Sequence, residues 1–348
     1  MKIAIFTKNW LGDVIFQIPA MRAIKKKFPG SELLVVCPKR CVEILQACPF
    51  VSEVIPFDDR ARDKNLLAFF KLIWKLRSRR IGRFYLFHRS FSRAVIAWFS
   101  GSPVRIGYAS KNRGFLLTQA IPEPEQKLHS VRYYLELVRR SGTAIDEEYQ
   151  CEFYFTPQDR RRAERLIREV GFDPSRLVAI NPGANWPPKR WPVDHFADLA
   201  YQLAEQFGVQ VIVTGGPSDE TLGNVIANKR KHPFIKNLCG QTTICELGAL
   251  FSFCRLLISS DSGPLHIGAG VGTNVVAIFG PTDPKQTGPL GRGKNVVLHH
   301  IPEGERVPWY GENFPYGKWM EHISVEQVMN VIEKEGLLEK VGENGSIR

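Results

Sequence analysis

The sequence lacks the features that would place it inside a membrane or among disulfide-stabilised secreted proteins. No apolar run reaches the roughly 20 residues that a membrane-spanning helix needs. The N-terminus, MKIAIFTKNW, enters a strand-like segment without a signal-peptide pattern. The seven cysteines are odd in number and scattered, and no second pair or histidine cluster completes a zinc site. We therefore expect reduced thiols in the core of a cytoplasmic protein.

Two ligand-binding motifs are also missing from the sequence. The metal-binding pattern D-x-D occurs nowhere in the chain. After the first strand-like segment, Gly12 is the single glycine, where a dinucleotide fingerprint requires G-x-G-x-x-G. The βαβ opening still predicts Rossmann-like winding of a parallel sheet, but it does not indicate a nicotinamide-dependent oxidoreductase.

Length and charge predict two domains with different partners. At 348 residues, with 44% hydrophobic and 24% charged residues, the chain suits two globular domains. Residues 1–156 hold 26 Lys and Arg against 14 Asp and Glu, whereas residues 157–348 hold 21 of each, so all of the +12 net charge lies in the first half. This asymmetry predicts an anionic partner for the first half alone.

Residues 60–93 are the most basic part of the chain, with eleven Lys or Arg and a single acid, Asp63. Within them, residues 66–76 have the spacing of an amphipathic helix. Any one of these charges is explained by a solvated helix face, but the whole cluster predicts a contact with phosphates, on a substrate or on anionic lipid headgroups. We assign the nearby Trp74 and Trp98 to packing rather than to membrane anchoring.

The second half alternates strands with helices and predicts a doubly wound sheet, whose ligand binds at the carboxyl ends of the strands. Residues 151–155 are predicted to form a short strand. A helix start follows at Thr156, where a hydroxyl cap, a proline and an acid occur in order. The domain boundary is therefore placed at residue 156. Near the C-terminus, Ser324 opens a capping box and a final helix.

Three predicted strand-end loops carry chemistry: Gly12-Asp13, residues 181–191 (NPGANWPPKRW) and residues 261–266 (DSGPLH). Each has a simpler explanation, since Asp13 could cap a helix, Lys189 could be a surface charge, and His266 could be a core histidine. Pro264 suits the first turn of a helix, and the free N–H groups of such a turn after a parallel strand form an anion site. The three loops together are harder to explain as scaffolding.

Four segments resemble the ADP-heptose:lipopolysaccharide heptosyltransferases, and most of all heptosyltransferase II. They are KNWLGDVIFQIPAMRAIKKKFP, NPGANWPPKRWP, NLCGQT at 237–242, and DSGPLHIGAGVGTNVVAIFGPTDP, and the resemblance spans residues 2–289 in order. It implies an α/β fold of the GT-B type: two Rossmann-like, doubly wound parallel-sheet domains that face each other across a cleft. The implied parts are an acceptor domain (1–156), a donor domain (157–320) and a last helix (321–348) that crosses back to the first domain.

The resemblance also implies an inverting transfer of heptose from ADP-heptose to the lipopolysaccharide inner core, without metal or cofactor. Asp13 matches the general base that takes the proton of the acceptor hydroxyl. Lys189 matches a lysine on the donor phosphates, which offsets charge on the departing ADP. The donor loop is matched by Asp261, on the sugar hydroxyls, and by Ser262, Gly263 and His266, and the nucleoside pocket is matched by Gly215, Gly216 and Glu220, the last on the ribose.

Acceptor contacts are assigned to Gly12, Arg60, Arg62, Lys64 and Arg113. The partners that follow are ADP-heptose, an anionic inner-core acceptor and the cytoplasmic face of the inner membrane, which the protein contacts peripherally. One alternative keeps the fold and changes the acceptor to another saccharide or a protein hydroxyl. A second, a basic protein that binds nucleic acid through residues 60–93, is disfavoured, because aromatic residues are not interleaved there as stacking platforms and the loop motifs would have no role.

Overall fold

The computed structural model describes residues 1–57, 66–301 and 318–340, including all their side chains except those of Leu66 and Lys318. The chain divides into two compact units, Met1–Gln150 and Cys151–Arg348. The division falls six residues before the position predicted from the helix start at Thr156. Arg60, Arg62 and Lys64 lie outside the described residues.

The first unit is a six-stranded parallel sheet with the strand order β3-β2-β1-β4-β5-β6. Its strands are β1 (Lys2–Phe6), β2 (Glu32–Pro38), β3 (Glu53–Phe57), β4 (Arg83–Leu86), β5 (Val104–Tyr108) and β6 (Gln119–Ile121). Its helices are α1 (Leu11–Ile15), α2 (Ile18–Lys27), α3 (Val42–Gln46), α4 (Leu66–Ser78), α5 (Phe91–Phe99) and α6 (Ser130–Arg140). The order reverses between β1 and β4, which makes the carboxyl ends of these two strands the switch point of the sheet.

The second unit repeats this winding with the strand order β12-β11-β10-β7-β8-β9, again with parallel neighbours. Its strands are β7 (Leu177–Asn181), β8 (Gln210–Val213), β9 (Ile235–Asn237), β10 (Leu256–Ser260), β11 (Asn274–Phe279) and β12 (Asn295–His299). Its helices are α7 (Pro157–Glu169), α8 (Val193–Phe207), α9 (Glu220–Asn228), α10 (Ile244–Phe251), α11 (Gly263–Val271), α12 (Pro284–Thr287), α13 (Lys318–Glu321) and α14 (Val325–Lys334). Here the switch point lies between β7 and β10.

Local sequence signals explain where several helices begin. Thr156, Thr243 and Ser324 each accept a backbone N–H at the third helical position, and the side chain at that position returns the bond. These capping boxes satisfy donors that have no partner inside the helix. In the first unit, Pro19 lies near the start of α2 and separates it from α1, so the interrupted pattern at the N-terminus folds as two helices.

Each unit has its own apolar core. In the first, Leu72, Ile73 and Leu76 of α4 pack with residues of β1 and β2, among them Phe6 and Val36. In the second, α14 buries Val328, Met329 and Ile332 in the core that also contains α8. The final helix therefore packs within the second unit, and its crossing towards the first unit stays a prediction.

Two expectations about this framework were wrong. Residues 151–155 form no strand; instead the Cys151 amide donates to the carbonyl of Leu290 at 2.7 Å and the Phe153 amide to that of Gly270 at 3.1 Å. These single bonds tie the segment to Leu290 and to Gly270 of α11 without a ladder. Trp74 and Trp98 do not pack in the core but are 76% and 49% exposed, because the inward sides of their helices are filled by smaller aliphatic residues.

The cysteines agree with the sequence prediction, since all seven are buried and none is in a disulfide. Among the helices that the structure describes, none is long and apolar enough to cross a bilayer.

Candidate functional site

The carboxyl ends of β7 and β10 bring together the two loops that the sequence singled out in the second half. The strands are adjacent, with Ile258 opposite Ile180 and Ser259 opposite Asn181. Chain leaving β7 turns through Pro187–Lys189, and chain leaving β10 passes Asp261 into α11. The two loops therefore meet at the switch point of the sheet, where α/β proteins bind ligands.

Asp261 is the centre of this meeting point. Its Oδ2 accepts a hydrogen bond from Lys189 Nζ at 2.6 Å and another from Thr282 Oγ1 at 2.7 Å. Its Oδ1 lies 3.8 Å from His266 Nε2. The side chains of Asp261 and Lys189 are only 5% and 15% exposed. The carboxylate is thus occupied by the protein's own donors, and it positions the lysine at the strand ends rather than reaching outward to sugar hydroxyls.

The ionisation of Asp261 follows from these neighbours. Burial alone raises the pKa of a carboxyl, because it removes water from the charged form. Around Asp261 the neighbouring His266 and the charge and hydrogen bond of Lys189 outweigh burial and hold its pKa below the usual range. Asp261 is therefore a carboxylate at neutral pH and forms a true ion pair with Lys189.

The loop that carries Lys189 is fixed at both ends. The Trp191 amide donates to Ser260 Oγ at 3.2 Å, and its buried indole Nε1 donates to the carbonyl of Ile323 at 2.8 Å. Arg190 Nε donates back to the carbonyl of Ala184 at 2.9 Å. In the sequence motif PPKRW, the residues on either side of the lysine hold the loop, and the lysine projects to the strand ends.

Helix α11 lies unusually close to its sheet. A methyl group added at Gly268 would come within 2.4 Å of Leu257 Cδ2 in β10, so a larger residue would require the Leu257 side chain to shift. Pro264 occupies the first turn, where its missing N–H costs no hydrogen bond. The remaining N–H groups of that turn, next to Ser262 and Gly263, carry the positive end of the helix dipole. Together with Lys189 they form a site suited to an anion such as a pyrophosphate.

The turn after β8 also lies at this edge of the sheet. Asp219 Oδ2 accepts the amide of Gly216 at 2.9 Å and caps the short turn that precedes α9. Methyl groups at Gly183 or Gly215 would each lie 2.7 Å from Asp219 side-chain atoms, so both glycines permit the close approach of this carboxylate. Glu220, predicted to bind a ribose, is exposed at the first position of α9.

In the first unit, Asp13 occupies the corresponding switch point. It lies in the first turn of α1, after β1, with Oδ1 3.6 Å from Lys8 Nζ. Its side chain is 23% exposed and therefore contacts solvent. The distance of 3.6 Å from Lys8 makes the ion pair a loose one. Tyr134 is close by: burial first, and then the charge of Asp13, raise its pKa well above the usual value. Asp13 is therefore an accessible carboxylate beside a neutral phenol.

His88 follows β4 at the same edge. Burial, followed by the charges of Arg93, Lys8 and Arg113, lowers its pKa to about 3, so the imidazole is neutral at physiological pH. Its Nδ1 accepts the amide of Ser90 at 3.0 Å. Arg93 also donates to Asn9 Oδ1 at 3.0 Å. The carboxyl edge of this sheet thus gathers the Asp13 carboxylate, a neutral histidine and several cations.

Arg113, which was assigned to the acceptor, has a different place in the structure. It is 0% exposed, and its guanidinium donates to the carbonyls of Tyr108, at 3.0 Å, and of His88. Burial lowers its pKa to about 10, which still leaves it charged. In this position Arg113 ties the loop after β5 to the strand end of β4, and its assignment to the acceptor stays a prediction.

The structure brings together Lys189, Asp261, Ser262, Gly263 and His266 as predicted, and places Gly215 and Gly216 at the neighbouring strand end. Sequence reasoning missed three participants: Thr282, Asp219 and His88. Thr282 belongs to the segment GPTDP, and its position shortly after β11 is the sequence feature that indicates a place at the strand ends. His88 and Asp219 stand in no recognised motif. In residues 1–57, 66–301 and 318–340, no group of three or more His, Cys, Asp or Glu could hold a metal ion.

Comparison with known proteins decides the family. Residues 69–308 match the family model of glycosyltransferase family 9 (heptosyltransferase). The chain belongs to this family. It is therefore a glycosyltransferase, and the predicted resemblance is confirmed.

Individual relatives cover almost the whole glycosyltransferase. Lipopolysaccharide heptosyltransferase 2 of Escherichia coli is 27% identical over 327 residues, 90% of this chain and 94% of the relative. Lipooligosaccharide heptosyltransferase 2 of Campylobacter jejuni is 28% identical over 96% of this chain and 99% of the relative. The solved structure of E. coli ADP-heptose lps heptosyltransferase II matches with a TM-score of 0.80 at 26% identity, covering 97% of this chain and 98% of the other. The predicted GT-B fold class is confirmed.

Proposed function

We propose that this glycosyltransferase moves heptose from ADP-heptose to the inner core of lipopolysaccharide, by an inverting and metal-independent displacement. The names of its relatives support the heptose donor and the lipopolysaccharide acceptor. The excess of cations in the first half supports an acceptor that carries carboxylates and phosphates. We place the reaction at the cytoplasmic face of the inner membrane, with peripheral contact only.

The observation that carries the proposal is the Lys189–Asp261 pair at the start of α11. A lysine held within 2.6 Å of a buried carboxylate is already ordered before any ligand arrives. The diphosphate of ADP-heptose would lie against Lys189 and the free N–H groups of α11. These donors stabilise the charge that builds on the leaving phosphate as the glycosidic bond breaks, which is where preorganised donors are most effective.

The chemical step would need one proton acceptor, and we assign it to Asp13. An acceptor hydroxyl oxygen attacks the anomeric carbon while the bond from that carbon to the phosphate oxygen breaks. The hydroxyl proton passes to the Asp13 carboxylate, and ADP leaves with the bonding electrons. Attack from the side opposite to ADP inverts the anomeric configuration. The accessible, loosely paired carboxylate described above suits this role better than a buried one would.

The test is release of ADP in the presence of ADP-heptose and purified inner-core acceptors, with and without the chelator EDTA. We expect equal release in both conditions and a new heptosyl linkage of inverted configuration in the product, read by NMR. Absence of ADP release with every inner-core acceptor would contradict the proposal. Release with a different saccharide or with a protein hydroxyl would support the alternative acceptor instead.

A further inference from the structure

Helix α4 exposes a stripe of apolar side chains to solvent. Leu67, Phe70 and Trp74 follow one another at spacings of three and four residues and are 79%, 56% and 76% exposed. Residues at such spacings share one side of a helix. The opposite side already fills the core through Leu72, Ile73 and Leu76. The stripe therefore stays largely exposed, and Phe70 makes an edge-to-face ring contact with Phe69 at 6.0 Å.

Helix α5 extends this apolar surface. It lies against α4, and Arg77 Nη1 of α4 donates to the carbonyl of Phe99 at 3.3 Å. Trp98 and Phe99 are about half exposed, with their rings 4.7 Å apart, edge to face. We call the exposed side chains of Leu67, Phe70, Trp74, Trp98 and Phe99 the aromatic face.

Cations border the aromatic face, and the nearby carboxylate of Glu53 is paired with Arg79 at 2.8 Å. Lys71, Lys75 and Arg77 are exposed on α4, beside the apolar stripe. Neither helix contains an acid, and the sequence from residue 66 to residue 122 has eleven Lys or Arg and no Asp or Glu. A long stretch with charge of one sign leaves a strongly positive surface around exposed tryptophan and phenylalanine.

We infer that the aromatic face docks on an anionic phospholipid bilayer. Tryptophan and other aromatic side chains partition to the boundary between headgroups and acyl chains. Lysines near such a surface attract anionic lipids, and a helix with both features lies in the plane of the interface. Charge complementarity selects this occupant over a second copy of the chain, whose own aromatic face would bring like charges together. The inference rests on the proposed function only in naming the membrane, and it assigns the contact to α4 and α5.

The apolar part is tested with the double variant Phe70→Ser/Trp74→Ser. Sedimentation with vesicles of phosphatidylethanolamine and phosphatidylglycerol measures partitioning of the full chain. We expect the partition coefficient to fall at least about tenfold, because the inserted area is lost. The matched control is Val225→Ser, which removes an exposed apolar side chain from the second unit. The control should bind like the wild type, and both proteins should keep the wild-type circular dichroism spectrum.

The charged part is tested with Lys71→Gln/Lys75→Gln. A single basic residue near an anionic surface contributes about a fivefold factor, so the double variant should bind about 25-fold more weakly. Arg161→Gln/Arg165→Gln is the matched control, since it removes two exposed cations at the same spacing from α7. Wild-type binding should weaken on phosphatidylcholine vesicles and in high salt.

Unchanged partitioning of both double variants would overturn the inference. It would also be overturned if Phe70→Ser/Trp74→Ser converted a dimer to a monomer while leaving vesicle binding intact, because the face would then be a contact between copies. Turnover separates this test from that of the proposed function. With a water-soluble acceptor that lacks lipid chains, both double variants should release ADP at the wild-type rate. A wild type that binds vesicles but never releases ADP would refute the proposed function alone.

Discussion

The two units share one strand order and differ in the chemistry at its switch point. In each, the order of the six parallel strands reverses between the first and the fourth strand of the unit. In the first unit this point holds Asp13, 23% exposed and 3.6 Å from Lys8. In the second it holds Asp261, 5% exposed and 2.6 Å from Lys189. The same topology thus presents one accessible carboxylate and one that is buried and accepts hydrogen bonds from Lys189 and Thr282.

This difference shows how burial divides two tasks between two carboxylates. A proton acceptor must contact the substrate, so it needs exposure and a partner that does not hold it rigidly. A residue that orders a phosphate-binding lysine must stay charged and fixed, which the tight contacts of Asp261 provide. The largest expected effects come from exchanging or removing these properties.

Asp13→Asn should have the largest effect. It keeps the size of the side chain and removes the proton acceptor, so turnover should fall by about a thousandfold or more. Isothermal titration with ADP should give the wild-type affinity, since the nucleotide is assigned to the second unit. Asp146→Asn, which removes an exposed carboxylate that is paired with Lys26 in the same unit, is the control and should be fully active. Equal loss of ADP binding in Asp13→Asn would make Asp13 structural.

Lys189→Met should destabilise the protein as well as weaken ADP binding. It leaves the buried Asp261 without its charged partner, at a cost of about 3–5 kcal/mol in the free energy of unfolding. The double variant Lys189→Met/Asp261→Asn should recover much of this stability, because no charge is left unpaired. ADP affinity should stay low in both variants. If the double variant regained ADP affinity, Lys189 would act through the fold and not through the phosphates.

His88 of the first unit should make the free energy of unfolding depend on pH. In the unfolded chain a histidine binds a proton near pH 6.5, whereas His88 in the fold does so only near pH 3. The unfolded state therefore holds more protons between these values, and the free energy of unfolding falls as the pH is lowered through this window. From about pH 6.5 to about pH 4.5 the loss should reach about 2 kcal/mol. His88→Asn, compared by urea titration, should lose that much less; an identical pH profile would contradict the assignment.

The smallest expected effect comes from removing a helix cap in one unit and comparing it with an uncapped helix in the other. Thr243 caps α10 with a reciprocal capping box, while Ser90 precedes α5 and makes no side-chain cap bond. Thr243→Ala should lower the free energy of unfolding by about 1 kcal/mol, and Ser90→Ala should change it little. Urea midpoints of the two variants measure the difference. Equal losses would show that α10 depends on packing alone.

The sequence indicates some strands better than others for a physical reason. Strands such as β7, β10 and β11 are buried on both sides and read as continuous apolar runs between turn signals. β4, β6 and β9 have only three or four residues, too few for periodicity to separate strand from loop. The segment 151–155 has strand-like composition, but the two bonds that its amides make lead to separate places, Leu290 and Gly270 of α11, and form no ladder.

The site residues also differ in how far the sequence alone indicates them. Lys189, Asp261 and His266 could be predicted because they stand in strand-end loops with glycine and proline signals. His88 could not, because its neutrality results from burial and from cations that are distant in sequence. Arg113 was assigned to the acceptor, and only the fold shows the carbonyls to which it donates. Burial by residues that are distant along the chain cannot be read from the sequence.

The pairing of Lys189 with Asp261 has a consequence for the end of the reaction cycle. A lysine that met only the diphosphate would hold ADP after transfer with the full strength of a desolvated charge pair. Because Asp261 remains bonded to the same ammonium group, it competes with the product and offers the lysine an immediate partner when ADP departs. Release of product limits the turnover of many enzymes. The buried carboxylate would thus shorten the residence time of ADP while keeping its binding geometry ready for the next donor.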